Sequence, residues 1–195
     1  MESKDFGGPQ YLHGAMVMAG LADLPEMAEH FEKTPDRVFR FWQEFIHPRV
    51  DLAAILKNGF ADDSPHASTG AMVVQTDIPF RGLCAHHLLP FVGSAVIGYL
   101  PHKRVVGLSK MARLVDAAGT RLPSTQEAIT NLIADTMHET MDCLGVIVVT
   151  SATHMCMASR GVVVPNTQTK VSAIRGLFIH SPSARSEFFQ VVGVK

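Results

Sequence analysis

Two clusters of metal-binding side chains, far apart in the sequence, constrain this chain more than any other feature. The first lies in Arg81-Gly82-Leu83-Cys84-Ala85-His86-His87-Leu88-Leu89-Pro90-Phe91, where a thiol and two imidazoles fall within four consecutive positions. Cys84 and His87 stand three apart, a spacing that lets one tight loop aim both at a single ion. The second is His154-Met155-Cys156, which follows an apolar run that reads as a strand. For the two clusters to make one site, the fold must bring these strand ends together. Three donors plus a water describe a catalytic zinc. For an isolated Cys84 and His87 the alternative is a buried thiol and a hydrogen-bonded core imidazole, and the second cluster is what favours the metal. His86 and His154 are then left over, and an imidazole beside a metal suits acid–base work near neutral pH.

The surrounding pattern defines an α+β fold. Thr34-Pro35 opens a helix with Val38, Phe39, Trp42 and Phe45 at helical spacing, closed by Pro48. Residues 11–21 and 51–56 read as shorter helices, and residues 1–10 as a lead-in. Strands are predicted at 72–78, 93–100, 145–152 and 171–180. Helices are predicted from Ser109, with Met111, Leu114 and Val115 on its apolar face, over 124–144, with Ser124 and Glu127 as a capping box, and over 183–191. The order β-β-α-α-β-β segregates two helices from an antiparallel four-stranded sheet. An N-terminal helical extension, residues 1–65, precedes a catalytic domain, residues 66–195. The strands show no proline or bulge to blunt the sheet edges, so oligomerisation through those edges is expected.

With 17 basic and 18 acidic residues the formal charge is −1, which argues against a nucleic-acid-binding surface over the whole protein. Three cysteines are too few for a disulfide framework, and Cys143 reads as a small core residue. No apolar stretch is long enough for a signal peptide or a membrane span, and a cytoplasmic protein is expected.

Lys110 and Arg113 sit three apart at the start of a helix, and Arg160 follows the second cluster. Cations at a helix N-terminus oppose its dipole, so they are either a solvated basic face or a polyphosphate clamp. Gln126-Glu127 likewise has two readings: a helix cap, or a carboxylate that accepts two parallel hydrogen bonds from a guanine edge.

The sequence resembles the GTP cyclohydrolase I family over roughly residues 35–190. Cys84-Ala85-His86-His87-Leu88-Leu89-Pro90-Phe91 looks like that family's Cys-Glu-His-His signature, and Val106-Gly107-Leu108-Ser109-Lys110 with Arg113 looks like its Gly-Leu-Ser-Lys segment. Arg121-Leu122, Gln126-Glu127, His154-Met155-Cys156-Met157, Arg160-Gly161 and Arg185-x-Glu187-Phe188 follow in family order. The resemblance implies Zn2+ on Cys84, His87 and Cys156, and acid–base roles for His86 and His154. It also implies guanine recognition by Glu127 with help from Gln126, and triphosphate contacts from Lys110, Arg113 and Arg160, with Ser109 near the ribose or phosphates. The implied reaction is zinc-assisted hydrolysis at C8 of GTP, formate release and recyclisation to 7,8-dihydroneopterin triphosphate. The implied fold is the tunnelling fold, closed into an oligomeric barrel, with a homodecamer of two stacked pentamers and sites shared between subunits.

Three departures stand out. Ala85 replaces the family's Glu, Ala128 replaces the Arg that usually follows Gln-Glu, and one residue is inserted between Arg113 and Gln126. The paired absence of Glu and Arg leads to the expectation of a buried ion pair lost as a unit. Competing readings are a paralogue that opens a related purine nucleotide or stops at the ring-opened formamide, and a non-catalytic nucleotide- or zinc-binding relative. Retention of both His86 and His154 argues against the latter, since a structural site needs neither.

Overall fold

A computed structural model describes residues 8–21, 28–57, 60–61 and 71–193. Most of the expected lead-in, the helix stop at Asn58-Gly59 and the loop at 62–70 lie outside these residues. The chain divides into two compact units, Met1–His47 and Pro48–Lys195. The first holds α1 (Gly8–Met18), α2 (Ala28–Phe31) and α3 (Thr34–Phe45). Pro35 in the first turn of α3 has a φ already suited to a helix and no N–H to leave unpaired.

The second unit runs α4 (Leu52–Leu56), β1 (Phe60–Ala61), β2 (Val73–Leu83), β3 (Pro90–Pro101), β4 (Arg104–Val105), α5 (Leu108–Gly119), α6 (Gln126–Thr140), β5 (Cys143–His154), α7 (Met155–Ala158), β6 (Thr169–Gly176), α8 (Leu177–His180) and α9 (Pro182–Val192). Its main sheet is four-stranded in the order β2-β3-β5-β6, and every neighbouring pair is antiparallel. The expected α+β arrangement is therefore present, with β1 and β4 pairing separately.

Strand alternation decides what reaches the site. On β5, Val146, Val148 and Ala152 are buried in one core with Met111, Leu114 and Val115 of α5 and Ile129, Ile133 and Met137 of α6. Side chains two apart share a face, so Thr150 and His154 belong to that same helix-covered face. The other face carries Ile147, which clusters with Phe178 of α8 and Phe188 of α9. Leu52 and Leu56 of α4 join the larger core.

Three details differ from the sequence reading. The helix predicted over 124–144 ends at Thr140, and β5 begins at Cys143. The strand predicted over 171–180 stops at Gly176, whose φ of 60° turns the chain into α8 so that Phe178 is buried. A Cβ at Gly176 would lie 2.3 Å from the Leu144 carbonyl oxygen, so the turn requires glycine for space as well as for φ. Finally, β2 does carry edge-blunting features. It continues past residue 78 to include Pro79, and its register shifts between Gln75 and Ile78, where Asp77 has φ 55°. Both interrupt the row of free backbone groups that an edge offers. Among the described residues no helix is long and apolar enough to cross a membrane.

Candidate metal centre and adjoining cleft

The register of the sheet brings the two clusters together. Leu83 at the end of β2 pairs with Pro90, and the next residue, Phe91, pairs with His154 at the end of β5. Cys84 follows one strand end and Cys156 lies just beyond the other. The Cys84 loop closes on itself, its amide donating to Leu89 O at 2.9 Å while Leu88 N donates to Cys84 O at 2.8 Å. It is also fastened to the lead-in of α6: Ser124 N donates to Leu83 O at 2.8 Å, and Ala85 N donates to Ser124 O at 3.1 Å. The Cys84 loop and the first turn of α6 are thus one hydrogen-bonded piece.

One sulfur each from Cys84 and Cys156 and a ring nitrogen of His87 all lie within 4.8 Å of one another. A tetrahedral edge between sulfur at about 2.3 Å and nitrogen at about 2.1 Å from zinc is about 3.6 Å long. The separation of Cys84 Sγ from His87 Nδ1 is 3.9 Å, so this pair fits zinc with little movement. His86 Nδ1 is also 3.9 Å from Cys84 Sγ, yet it is His87 that completes the trio with both sulfurs. Two thiols and an imidazole are soft donors suited to zinc, and three protein ligands leave a fourth position open. Burial and the neighbouring Cys84 sulfur push the Cys156 thiol up, against the opposing charge of Arg160. Cys143, by contrast, lies outside the trio, and burial together with Asp142 pushes its thiol up to about 11, so it stays protonated.

Beside the trio lies a cleft of about 240 Å3 lined by His86, Phe91, Gln126, Glu127 and His154 among others. His154 stacks on Phe91 with ring centroids 4.7 Å apart. Burial lowers its pKa from the usual value, and the Glu127 carboxylate opposes that shift. Phe91 in turn occupies the space a side chain at residue 82 would need: a Cβ at Gly82 would lie 2.2 Å from Phe91 Cζ. Gly82→Ala is therefore expected to lower stability by about 1–3 kcal/mol, measured by urea unfolding of the purified protein.

The cap on α6 is Thr125, whose hydroxyl accepts from Ala128 N at 3.2 Å. Ser124 does not cap, because its backbone is held in the bridge to Leu83 and Ala85. Among the described residues the Glu127 carboxylate has no hydrogen-bond or ion-pair partner, and it faces the cleft. Gln126 is placed differently. Its side chain is 1% exposed, and its amide is spent on His154, Thr150 and Thr169. Ala85 and Ala128 are both exposed, so the burial penalty behind the lost ion pair does not arise. At exposed positions such a pair contributes at most about 1 kcal/mol.

Ser109, Lys110, Arg113 and Arg160 do not line this chain's cleft. Lys110 Nζ donates to Ile55 O at 3.0 Å at the end of α4, while Ser109, Arg113 and Arg160 are exposed. Gly119, at the far end of α5, packs against Arg81, since a Cβ there would lie 1.9 Å from its carbonyl oxygen. Ten residues of helix separate Ser109 from that contact, roughly 15 Å at 1.5 Å per residue. A single chain therefore brings together the trio, both histidines and Glu127, but not the α5 cations.

Sequence reasoning passed over Phe91, Thr130 and Thr150. The last two had a signal: each is polar at a position where the period, 3.6 in α6 and 2 in β5, calls for an apolar residue.

The family model described as GTP cyclohydrolase I matches residues 15–193. The chain is 42% identical over 181 residues to the GTP cyclohydrolase 1 of Caldanaerobacter subterraneus subsp. tengcongensis, covering 92% of this chain and 93% of the relative. It is 39% identical over 183 residues to that of Halalkalibacterium halodurans, covering 91% and 92%. With that of Campylobacter jejuni subsp. jejuni serotype O:23/36 it shares 43% identity over 160 residues, 82% of each chain.

Proposed function

Since the chain belongs to the GTP cyclohydrolase I family, we propose that it is a GTP cyclohydrolase I, which opens the imidazole ring of GTP by hydrolysis, releases C8 as formate and recloses the product to 7,8-dihydroneopterin triphosphate. The observation that carries this reading is the convergence of Cys84, His87 and Cys156 beside a cleft that also holds His154 and Glu127. The donor trio would hold zinc, which when bound supplies the Lewis acidity that makes water a nucleophile near neutral pH. His154 and His86 exchange protons with the reacting purine, and a histidine must protonate the departing ring nitrogen. The Glu127 carboxylate, left free by the Thr125 cap, accepts the two N–H groups along the guanine edge. Gln126 acts from behind, through His154. Lys110, Arg113 and Arg160 bind the triphosphate, with Ser109 near the ribose or phosphates. Anchoring GTP at both ends keeps the opened ring from escaping before it recloses.

The α5 cations do not line the cleft of their own chain, and Ser109 at the start of α5 stands roughly 15 Å along the helix from the contact of Gly119 with Arg81. That distance supports sites shared between subunits, in the homodecamer of two pentamers with the tunnelling-fold barrel that the family resemblance implies. Three free cysteines fit the reducing cytoplasm, where the pterin product would enter biosynthesis. Incubation of the zinc-loaded protein with GTP, followed by oxidation, fluorescence and mass analysis, is expected to yield the pterin triphosphate. Accumulation of a ring-opened formamide identifies instead a paralogue that stops early, and unchanged GTP identifies a non-catalytic relative.

A further inference from the structure

The hydrogen bonds around Gln126 have a direction that can be read without seeing a proton. Its side-chain nitrogen faces the main-chain carbonyl oxygens of Thr150 at 3.2 Å and Thr169 at 3.1 Å. Carbonyl oxygens only accept, so the atom facing them must be the amide NH2. The same nitrogen lies 2.9 Å from Thr150 Oγ1. Thr150 Oγ1 is 2.8 Å from Thr130 Oγ1, and the Thr130 hydroxyl donates to Gln126 O at 2.7 Å. Thr130 has one proton and gives it to Gln126 O, so the Thr150 hydroxyl donates to Thr130 and accepts from the Gln126 amide. The bonds form a ring that starts and ends on Gln126, with each hydroxyl donating once. Gln126, Thr130 and Thr150 are at most 1% exposed, so no water competes for these groups.

With the amide nitrogen committed, Gln126 Oε1 is the atom 2.8 Å from His154 Nε2. An oxygen there requires a proton on that nitrogen. Reversing the amide would set its NH2 against the ring and its oxygen against two carbonyl oxygens, which the burial forbids.

We propose that Gln126 is a positioning residue that keeps the proton on His154 Nε2, with Thr150 and Thr130 holding its amide, and so reserves His154 Nδ1 as the atom that exchanges protons with the substrate. This rests on the reading of His154 as an acid–base group. In the reaction a proton passes between Nδ1 and the purine ring nitrogen, and Nε2 keeps its own throughout. Gln126 thus differs from a residue that reads the base. Its effect falls on the rate of the proton-transfer step, and the affinity for GTP is left to Glu127.

Nitrogen NMR of the zinc-loaded protein labelled with 15N-histidine tests the first part, with the His154 signals assigned by their loss in His154→Gln. The expected spectrum shows a protonated Nε2 with slow solvent exchange and a bare Nδ1 in the neutral ring. A proton on Nδ1 and none on Nε2 overturns the proposal. Kinetics test the second part. Gln126→Met removes the acceptor and is expected to lower kcat by about tenfold or more with KM for GTP within about threefold, because the general acid–base contribution at stake is about 10²–10⁴. Should that variant fail to fold, Thr150→Val, which lacks only the hydroxyl, is expected to give the same split at smaller amplitude, and Thr150→Ser to restore kcat. A raised KM with unchanged kcat makes Gln126 a base reader and overturns the positioning role, as does a wild-type kcat in both Gln126→Met and Thr150→Val. If His154→Gln itself turns over GTP at the wild-type rate, the acid–base reading of His154 fails and takes the catalytic part of the proposal with it, while the tautomer is still decided by the wild-type spectrum.

Discussion

Cys156→Ala is expected to reduce zinc from about one ion per subunit to almost none and to bring GTP turnover below detection. Three protein ligands are the minimum for a catalytic zinc, and deleting one thiolate leaves a Cys–His pair that binds too weakly to hold the ion. The fold itself has little at stake. Cys156 sits in the single turn of α7 and is only packed against the core, so a loss of the sulfur trims contacts without opening a cavity. Elemental analysis and a thermal melt on the same sample separate the two effects. Full zinc occupancy in the variant would show that the ligand set is wrong.

Glu127→Gln is expected to lower kcat/KM for GTP by at least about a hundredfold while leaving stability within about 0.5 kcal/mol. A carboxylate accepts both N–H groups of a guanine edge, whereas an amide accepts one and turns its own NH2 against the other. The small stability effect follows from the capping geometry, since Thr125 already satisfies the first turn of α6 and Glu127 is exposed. The wild-type protein is expected to reject ATP by about 10⁴, because sites built on hydrogen bonds penalise an analogue that leaves them unpaired. Equal turnover of ATP and GTP would refute guanine reading by this residue.

The convergence of Cys84, His87 and Cys156 was legible because it is written in residue type and short spacing, and because each cluster abuts a strong strand pattern. The succession β-β-α-α-β-β along the chain followed from periodicity in the same way, while the order of strands within the sheet is seen only in the structure. What the sequence hid was decided by tertiary contacts. Ser124 has the capping-box spacing to Glu127 and Thr125 does not, yet Thr125 is the cap because the backbone of Ser124 is held in the bridge to the Cys84 loop. Gln126 and Glu127 are adjacent, and only the helix's rotation against β5 sends the first inward to His154 and the second to the cleft. The bulge at Asp77 leaves only a weak mark, an aspartate that disfavours strands and tolerates positive φ, inside an otherwise strand-forming run. Lys110 reads as a phosphate ligand from its motif, but its contact with α4 and its distance along α5 are visible only in three dimensions.

The fate of one carbon, C8 of GTP, distinguishes full turnover from every competing reaction. GTP labelled with 13C at C8, incubated with the zinc-loaded protein, is expected to give labelled formate in a one-to-one ratio with an unlabelled pterin triphosphate. Label retained in a purine nucleotide or in a ring-opened formamide, with no formate released, would contradict full turnover.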